Sequence, residues 1–270
     1  MISVSLTVAE SAKDEVIADL WEAGTTGITE ENDSLRAFFE DGIDTAAIEQ
    51  QFAAYQPHVS VEENRDWVAE SQAYWEPFSV GDRFFLIPEW RDDEVPAGRL
   101  RLTTYPGMAC GTGIHPATQL CLLAMEKHLR AGESMLDVGT GTGILAQAAV
   151  LLGAKAVVAC DIEPGAAAIA HANFRKSGAA VGVFAGSLRS VKTGAFSLAV
   201  ANLNAATLTQ VADDLKRVAA RLIVSGFRED EIGRVTRSLA ADVSDELTMD
   251  DWACLVTAED RRTVLTVTAL

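Results

Sequence analysis

Met135-Leu136-Asp137-Val138-Gly139-Thr140-Gly141-Thr142-Gly143-Ile144-Leu145 opens as a short apolar strand, 135–138, and runs into three glycines at alternate positions. A helical pattern follows over 144–152. Glycines let the chain turn sharply and let a ligand approach the backbone without meeting a Cβ. The start of the helix then offers N–H groups to a polar ligand. A second strand, 156–160, ends in Asp161-Ile162-Glu163. An acid at the end of a second strand is the usual partner of ribose hydroxyls. The unit therefore reads as a nucleoside-binding β-α-β.

The spacing narrows the nucleoside. A dinucleotide fingerprint has the form G-x-G-x-x-G and would need glycine at position 144, where this chain has Ile144. Gly139, Gly141 and Gly143 instead give G-x-G-x-G, the spacing usual in S-adenosylmethionine (SAM) methyltransferases. A glycine-rich turn without a ligand is the bland alternative. It does not explain why Asp137 and Asp161 lie on the same unit.

Length and composition set bounds. The 270 residues hold one large domain or two smaller ones. With 49% hydrophobic and 23% charged residues the chain is of ordinary soluble globular composition. A net charge of −17 argues against nucleic acid as the main partner, since phosphate binding wants a basic face. It permits a basic protein substrate, steered by the field of the whole molecule. Cys110, Cys121, Cys160 and Cys254 are far apart and form no C-x-x-C pair, so neither a metal site nor a disulfide framework is expected. The first residues show no basic segment before an apolar core, and the most apolar region, 144–160, is interrupted by Gln147, Gly153 and Lys155. No membrane association and a cytoplasmic location are expected.

Residues 2–8 alternate with the period of a strand: Ile2, Val4, Leu6 and Val8 on one face, Ser3, Ser5 and Thr7 on the other. A helix is predicted from Glu10-Ser11 to about Glu22, with Val16, Ile17, Leu20 and Trp21 as its apolar stripe and Gly24 ending it. Two strands flank an Asn32-Asp33 turn, a second helix starts at Asp44, and a short strand follows Pro57. The order β-α-β-β-α-β is that of the ferredoxin-like split motif. It covers residues 1–62 and lacks the basic, aromatic strand that would suggest RNA binding. Residues 63–98 read as a linker helix with Trp67 and Trp75 and a connecting segment, and 99–270 as the catalytic domain.

In that last part, the loop 106–118 contains Gly111-Thr112-Gly113-Ile114-His115-Pro116-Ala117-Thr118 and precedes a helix to about Leu129. Thr118 is placed as its N-cap or a first-turn hydroxyl. His115 is expected to brace the loop or touch a cofactor rather than act as a base. Further strands end at Ala185-Gly186-Ser187, at Asn202 and at Ser225, with helices between them. Alternating strands and helices argue for an α/β, doubly wound, mostly parallel sheet. Ligands in such sheets sit outside the carboxyl ends of the strands. Gly139, Asp161, Ser187 and Asn202 are all placed there, which points to one composite site.

These features together resemble the family that methylates large-subunit ribosomal protein eleven, over nearly the whole length. Gly111 to Thr118 is similar to that family's G-T-G-T-H-P-T-T. Phe85-Leu86-Ile87-Pro88-Glu89-Trp90, Asp66-Trp67, Asn202 and Ser225-Gly226 are similar to other family features. The resemblance implies a class I, Rossmann-like SAM-methyltransferase sheet behind a small N-terminal α+β domain. It also implies a monomeric enzyme that methylates amino groups of a ribosomal protein. SAM contacts carried over fall on Thr118, Gly139, Asp161 and Asn202, and Gly141 and Ser187 complete the expected cofactor set. This chain departs from the family at Ile114, Ala117 and the stretch Leu203-Asn204-Ala205-Ala206-Thr207. Residues 260–270 extend beyond the family's expected end.

Methyl transfer from a sulfonium to an amine is an in-line displacement that needs alignment and exclusion of water. Asn202 is the candidate catalytic residue, its carbonyl accepting a hydrogen bond from the amine. It could equally hold the methionine part of SAM. Other substrates, small molecule or protein, and a non-catalytic SAM-fold binding protein stay open as alternatives. A nicotinamide oxidoreductase lacks support, because the last glycine of its fingerprint is absent.

Overall fold

The computed structural model describes residues 2–9, 12–31, 34–40, 42–61, 75–105 and 111–259. The chain divides into two compact units, Met1–Trp75 and Glu76–Leu270.

The first unit has strands β1 (Ile2–Thr7), β2 (Gly27–Glu31), β3 (Ser34–Phe39) and β4 (His58–Val61), with helices α1 (Lys13–Glu22) and α2 (Thr45–Gln51). The sheet order is β2-β3-β1-β4, with every neighbour antiparallel. The strands of each β-α-β unit are thus parallel but separated by a strand of the other unit. Val4, Leu6, Leu35, Ala37 and Phe39 face Val16, Leu20, Ile48 and Phe52 in one core. Asp44 starts α2 by accepting from the Ala47 amide at 3.2 Å, the usual N-cap bond. Trp21, assigned to the buried stripe of α1, is instead 54% exposed: Val16 and Leu20 fill the helix's contact with the sheet, and Trp21 lies beyond it. The Asn32-Asp33 turn and the linker helix with Trp67 lie outside the described residues.

The second unit is built on β8 (Ser134–Val138), β9 (Ala156–Asp161), β10 (Val181–Ala185), β11 (Phe196–Asn202), β12 (Ala219–Arg228), β13 (Val243–Met249) and β14 (Trp252–Thr257). Their order is β10-β9-β8-β11-β12-β14-β13. The first five are mutually parallel, and β14 is antiparallel to both neighbours. From β8 the chain winds outward through β9 to β10, then crosses back to β11 on the other side. The switch point lies between β8 and β11, and a crevice is expected at its carboxyl end.

Helices α3 (Pro116–His128), α4 (Ile144–Leu151), α5 (Pro164–Ser177), α6 (Ala205–Val218) and α7 (Ile232–Leu239) cover the two faces. The inner strands are largely covered on both faces and read as apolar runs, while the edge strands β10 and β13 keep exposed positions. Met135, Leu198, Val200 and Ile223 belong to one core, and Leu136, Ala199, Ala201, Leu222 and Val224 to the other. Fully burying each leucine or isoleucine contributes roughly 1.5–3 kcal/mol.

A smaller sheet of β5 (Phe78–Val80), β6 (Phe84–Pro88) and β7 (Leu100–Thr104) adds Val80, Phe84, Leu86 and Leu102 to the first of these cores. Residues 78–88, assigned to a connecting segment, therefore pack into the larger unit. Strand β5 has no sequence signal because three residues are too few to show a period. Glu126 on α3 fixes its turn, accepting from the Asp82 and Arg83 amides at 3.1 and 2.9 Å.

Gly143 illustrates why the glycine loop is required by packing. Its φ is +88°, and a Cβ there would sit 2.4 Å from the Phe174 ring of α5. Gly143→Ala combines backbone strain with overpacking. It should cost about 2–3 kcal/mol in urea unfolding; an unchanged midpoint would show that α5 yields freely.

Candidate active site

Strand β8 delivers Asp137, 1% exposed, to the base of the glycine loop. Its Oδ2 accepts from the Thr140 hydroxyl at 2.7 Å and from the Ala146 amide at 3.2 Å. Its Oδ1 is buried and has no hydrogen-bond partner among the described residues. Burial pushes this carboxyl up to about 6; the Thr140 and Ala146 bonds oppose the shift, and the charge of Asp161 adds to it.

The loop's amides are largely spoken for. Gly139 and Thr140 both donate to the Cys160 carbonyl, at 2.9 and 3.1 Å, and Gly143 donates to Thr140 at 2.8 Å. Gly141 donates to Asp161 Oδ2 at 3.2 Å. At the start of α4, expected to offer N–H groups to a ligand, the chain's own Asp137 carboxylate takes the Ala146 amide, and its negative charge disfavours phosphate there. Gly139 has a φ of +71°, and a Cβ there would come 2.6 Å from the Leu203 side chain. A substitution at Gly139 would therefore meet Leu203.

Asp161 ends β9. Its Oδ1 accepts from the Glu163 amide at 3.1 Å, while its carbonyl accepts from Gly186 at 2.8 Å. Ile162 beside it is 75% exposed, an apolar surface at a strand end that sequence reading did not single out. Ser187, exposed and extended, follows β10 at the neighbouring strand end. The Arg217 guanidinium fixes the turn behind it by donating to the Leu188 and Val191 carbonyls.

Asn202 ends β11. Its Nδ2 donates to Thr118 Oγ1 at 3.1 Å. Thr118 is not the N-cap of α3: it lies in the first turn, 2% exposed. His115 is the cap, its Nδ1 accepting from the Ala117 amide at 3.2 Å. That agrees with a bracing role. A Cβ at Gly226 would lie 2.7 Å from the Leu203 carbonyl and 2.8 Å from Asn202 Oδ1, so only glycine leaves room beside that oxygen. The Thr142 hydroxyl ties the two loops together by donating to the Gly111 carbonyl at 2.5 Å.

The structure brings Gly139, Gly141 and Asp161 together around the glycine loop, and Asn202 together with Thr118. The departures from the resembled pattern are accommodated locally. Ala117 contributes a backbone amide, which needs no threonine side chain. Asn204 caps α6, accepting from the Thr207 amide at 2.8 Å. Ile114 is 50% exposed. A separate cleft of about 360 Å³, lined by Lys216, Asp242 and Glu259 among others, lies where β12 begins and β14 ends. This is the opposite edge of the sheet and holds none of the candidate residues.

A family model described as "Ribosomal protein L11 methyltransferase (PrmA)" matches residues 1–260. The chain belongs to the ribosomal protein L11 methyltransferase family, whose members are SAM-dependent enzymes. One curated relative, the ribosomal protein L11 methyltransferase of Geobacter metallireducens, is 37% identical over 206 residues, covering 74% of this chain and 68% of the relative. That of Symbiobacterium thermophilum is 40% identical over 164 residues, covering 61% and 53%. In the second case the matched stretch is little more than half of the relative's length. A crystal structure described as ribosomal protein L11 methylase from Lactobacillus delbrueckii subsp. bulgaricus superposes with a TM-score of 0.63 at 27% identity. It covers 69% of this chain and all of that one. The class I, doubly wound fold expected from the sequence is thereby established for the larger unit.

The Asp137 shift has a direction that can be checked. Its carboxyl titrates higher in the folded protein than the ordinary 3.8, so the folded state holds the proton longer than the unfolded chain. Its contribution to stability is greatest below about pH 4 and declines as pH rises through about 6. Above that the buried charge costs about 3 kcal/mol. Asp137→Asn removes the titration. Urea-unfolding curves of ligand-free parent and variant should separate progressively from pH 4 to 7, the variant becoming the more stable. Curves that stay parallel over that range would rule out a buried, titrating Asp137.

Proposed function

We propose that this chain binds SAM along the carboxyl edge of its central sheet and transfers the methyl group to amino groups of a ribosomal protein, in the cytoplasm. The observation that carries the reading is the carboxylate at the start of α4. A helix start already occupied by Asp137 suits a ligand without phosphate. Two acids that repel one another, Asp137 and Asp161, suit a ligand with positive charge. SAM has both properties, and the family membership agrees.

Asp161 would hold the ribose hydroxyls, and Ile162 and Ser187 would border the adenine. Gly139 and Gly141 would border the ligand through the loop backbone, and the charge of Asp137 would favour a cationic group nearby. Thr118 and Asn202 bound the methionine end. Bound there, SAM supplies an electrophilic methyl group. The chain's own part is alignment and desolvation. An apolar pocket lowers the pKa of an entering amine and so favours its neutral form. Thr118 fixes the Asn202 amide, leaving Oδ1 beside Gly226 to accept an N–H of that amine and orient its lone pair. The net charge of −17 would draw in a basic ribosomal protein.

Removing one charge-assisted hydrogen bond costs roughly 1.5–3 kcal/mol, and ~1.4 kcal/mol is tenfold in affinity. Asp161→Ala should therefore weaken SAM about tenfold or more by calorimetry; equal affinity would move the ribose elsewhere.

In the same reading the first unit holds the protein substrate and the second carries the chemistry. Holding a multi-site substrate on a separate unit raises the effective concentration of each amine at one pocket. Deleting residues 1–62 should preserve SAM binding and sharply lower methylation of the intact ribosomal protein. A truncated enzyme working at the full-length rate would defeat that division of labour.

A further inference from the structure

We infer that Trp252, on the antiparallel strand β14, is a positioning residue for the cofactor site: it holds His115 in the orientation that caps α3, and through that cap it places Thr118. The inference rests on the SAM reading above for its functional consequence, and on geometry alone for the positioning itself.

The usual N-cap side chains are short, and their oxygen reaches the first-turn amides without support. His115 caps with a ring nitrogen, at the end of a side chain with two free torsions. It is exposed, so burial does not fix its ring. What stands against the ring is Trp252. The ring centroids are 4.4 Å apart and the planes meet at 74°, an edge-to-face arrangement that favours one orientation. Trp252 is steadied in turn by Arg228, whose guanidinium carbon lies 5.0 Å from the indole centroid, within cation–π range.

This stack depends on the strand register. Strands β12 and β14 pair Ser225 with Cys254, then Phe227 with Ala253 and Arg228 with Trp252, so Gly226 is an extra, unpaired residue. Such a bulge re-aims the side chains after it. Without it, Arg228 would fall opposite position 251 and Trp252 would face Phe227. Gly226 is also the residue whose missing Cβ leaves room for Leu203 and Asn202. One bulge therefore serves the end of β11 and aligns the stack that caps α3.

Thr118 lies three residues after His115, its amide bonded to the His115 carbonyl at 2.9 Å. If the cap loosens, the first turn frays, Thr118 Oγ1 leaves Asn202 Nδ2, and binding a ligand there must first rebuild the turn. An N-cap is worth on the order of fivefold in such an equilibrium.

The test uses the full chain and five variants: Trp252→Leu, Trp252→Phe, His115→Ala, His115→Asn, and His115→Asn combined with Trp252→Leu. Asparagine is itself a strong cap, so His115→Asn supplies a cap that no longer needs the indole. Amide exchange at Ala117 and Thr118, measured without any ligand, should quicken in Trp252→Leu and His115→Ala. It should stay near the parent rate in Trp252→Phe and His115→Asn. SAM affinity by calorimetry should fall roughly fivefold in the first two, and His115→Asn in the Trp252→Leu background should restore it. Parent-like exchange in His115→Ala, or no restoration by asparagine, would overturn the inference. Faster exchange in Trp252→Leu and His115→Ala together with no SAM binding by the parent would preserve the positioning role and reject the SAM reading.

Discussion

The buried Asp137 carboxylate is the constraint around which the larger unit is arranged. It lies one residue before the end of β8, accepts from Thr140 in the loop and from Ala146 in the first turn of α4, and so fixes strand, loop and helix to one another. A buried charge with one free oxygen is costly, as the upward shift of its carboxyl records. A helix start ordinarily attracts phosphate; in the SAM reading proposed above, the carboxylate at this one would disfavour phosphate and favour a ligand with positive charge.

The other groups fall into place because the sheet switches direction beside that strand. Parallel strands on both sides of the switch bring Asp161, Ser187 and Asn202 to one edge without any of them being near in sequence. Close packing behind the edge then dictates where glycine must stand. Gly143 makes room for Phe174, Gly139 for Leu203, and Gly226 for the Leu203 carbonyl. Part of the glycine signature thus reports contacts within the protein.

Much of this was legible in the sequence because burial on both faces leaves plain marks. Apolar runs such as 198–201 and 222–224 place strands, and most strand ends follow within a residue, although β12 runs three residues past Ser225. The candidate site followed from the strand ends, since side chains there converge in any doubly wound sheet. What escaped has physical reasons. Strand β5 is too short to show a period. Trp21 has the spacing of a buried residue, yet the contact is already filled by its neighbours. His115 was expected to brace the loop or touch a cofactor, but histidine is rarely a cap, so its exact bond carried no local signal. The departure at Asn204 forms an ordinary helix cap, which needs the helix start to be located first. The Gly226 bulge and the pairing of Arg228 with Trp252 depend on register between distant strands, which no local pattern encodes.

The antiparallel strand has a consequence of its own for such a site. In a parallel strand only the last residues reach the carboxyl edge, so each contributes one short stretch at its end. Strand β14 runs the other way and starts at that edge, which lets Trp252, its first residue, stand among the ends of the parallel strands. The residues that follow it run down into the core, where Ala253, Cys254, Leu255 and Val256 are all buried. An aromatic ring at the rim is thereby rooted in the buried core of the unit instead of in a loop. An exposed loop residue such as His115 has no burial of its own to fix its ring, and the start of a buried antiparallel strand gives that ring a surface to stand against.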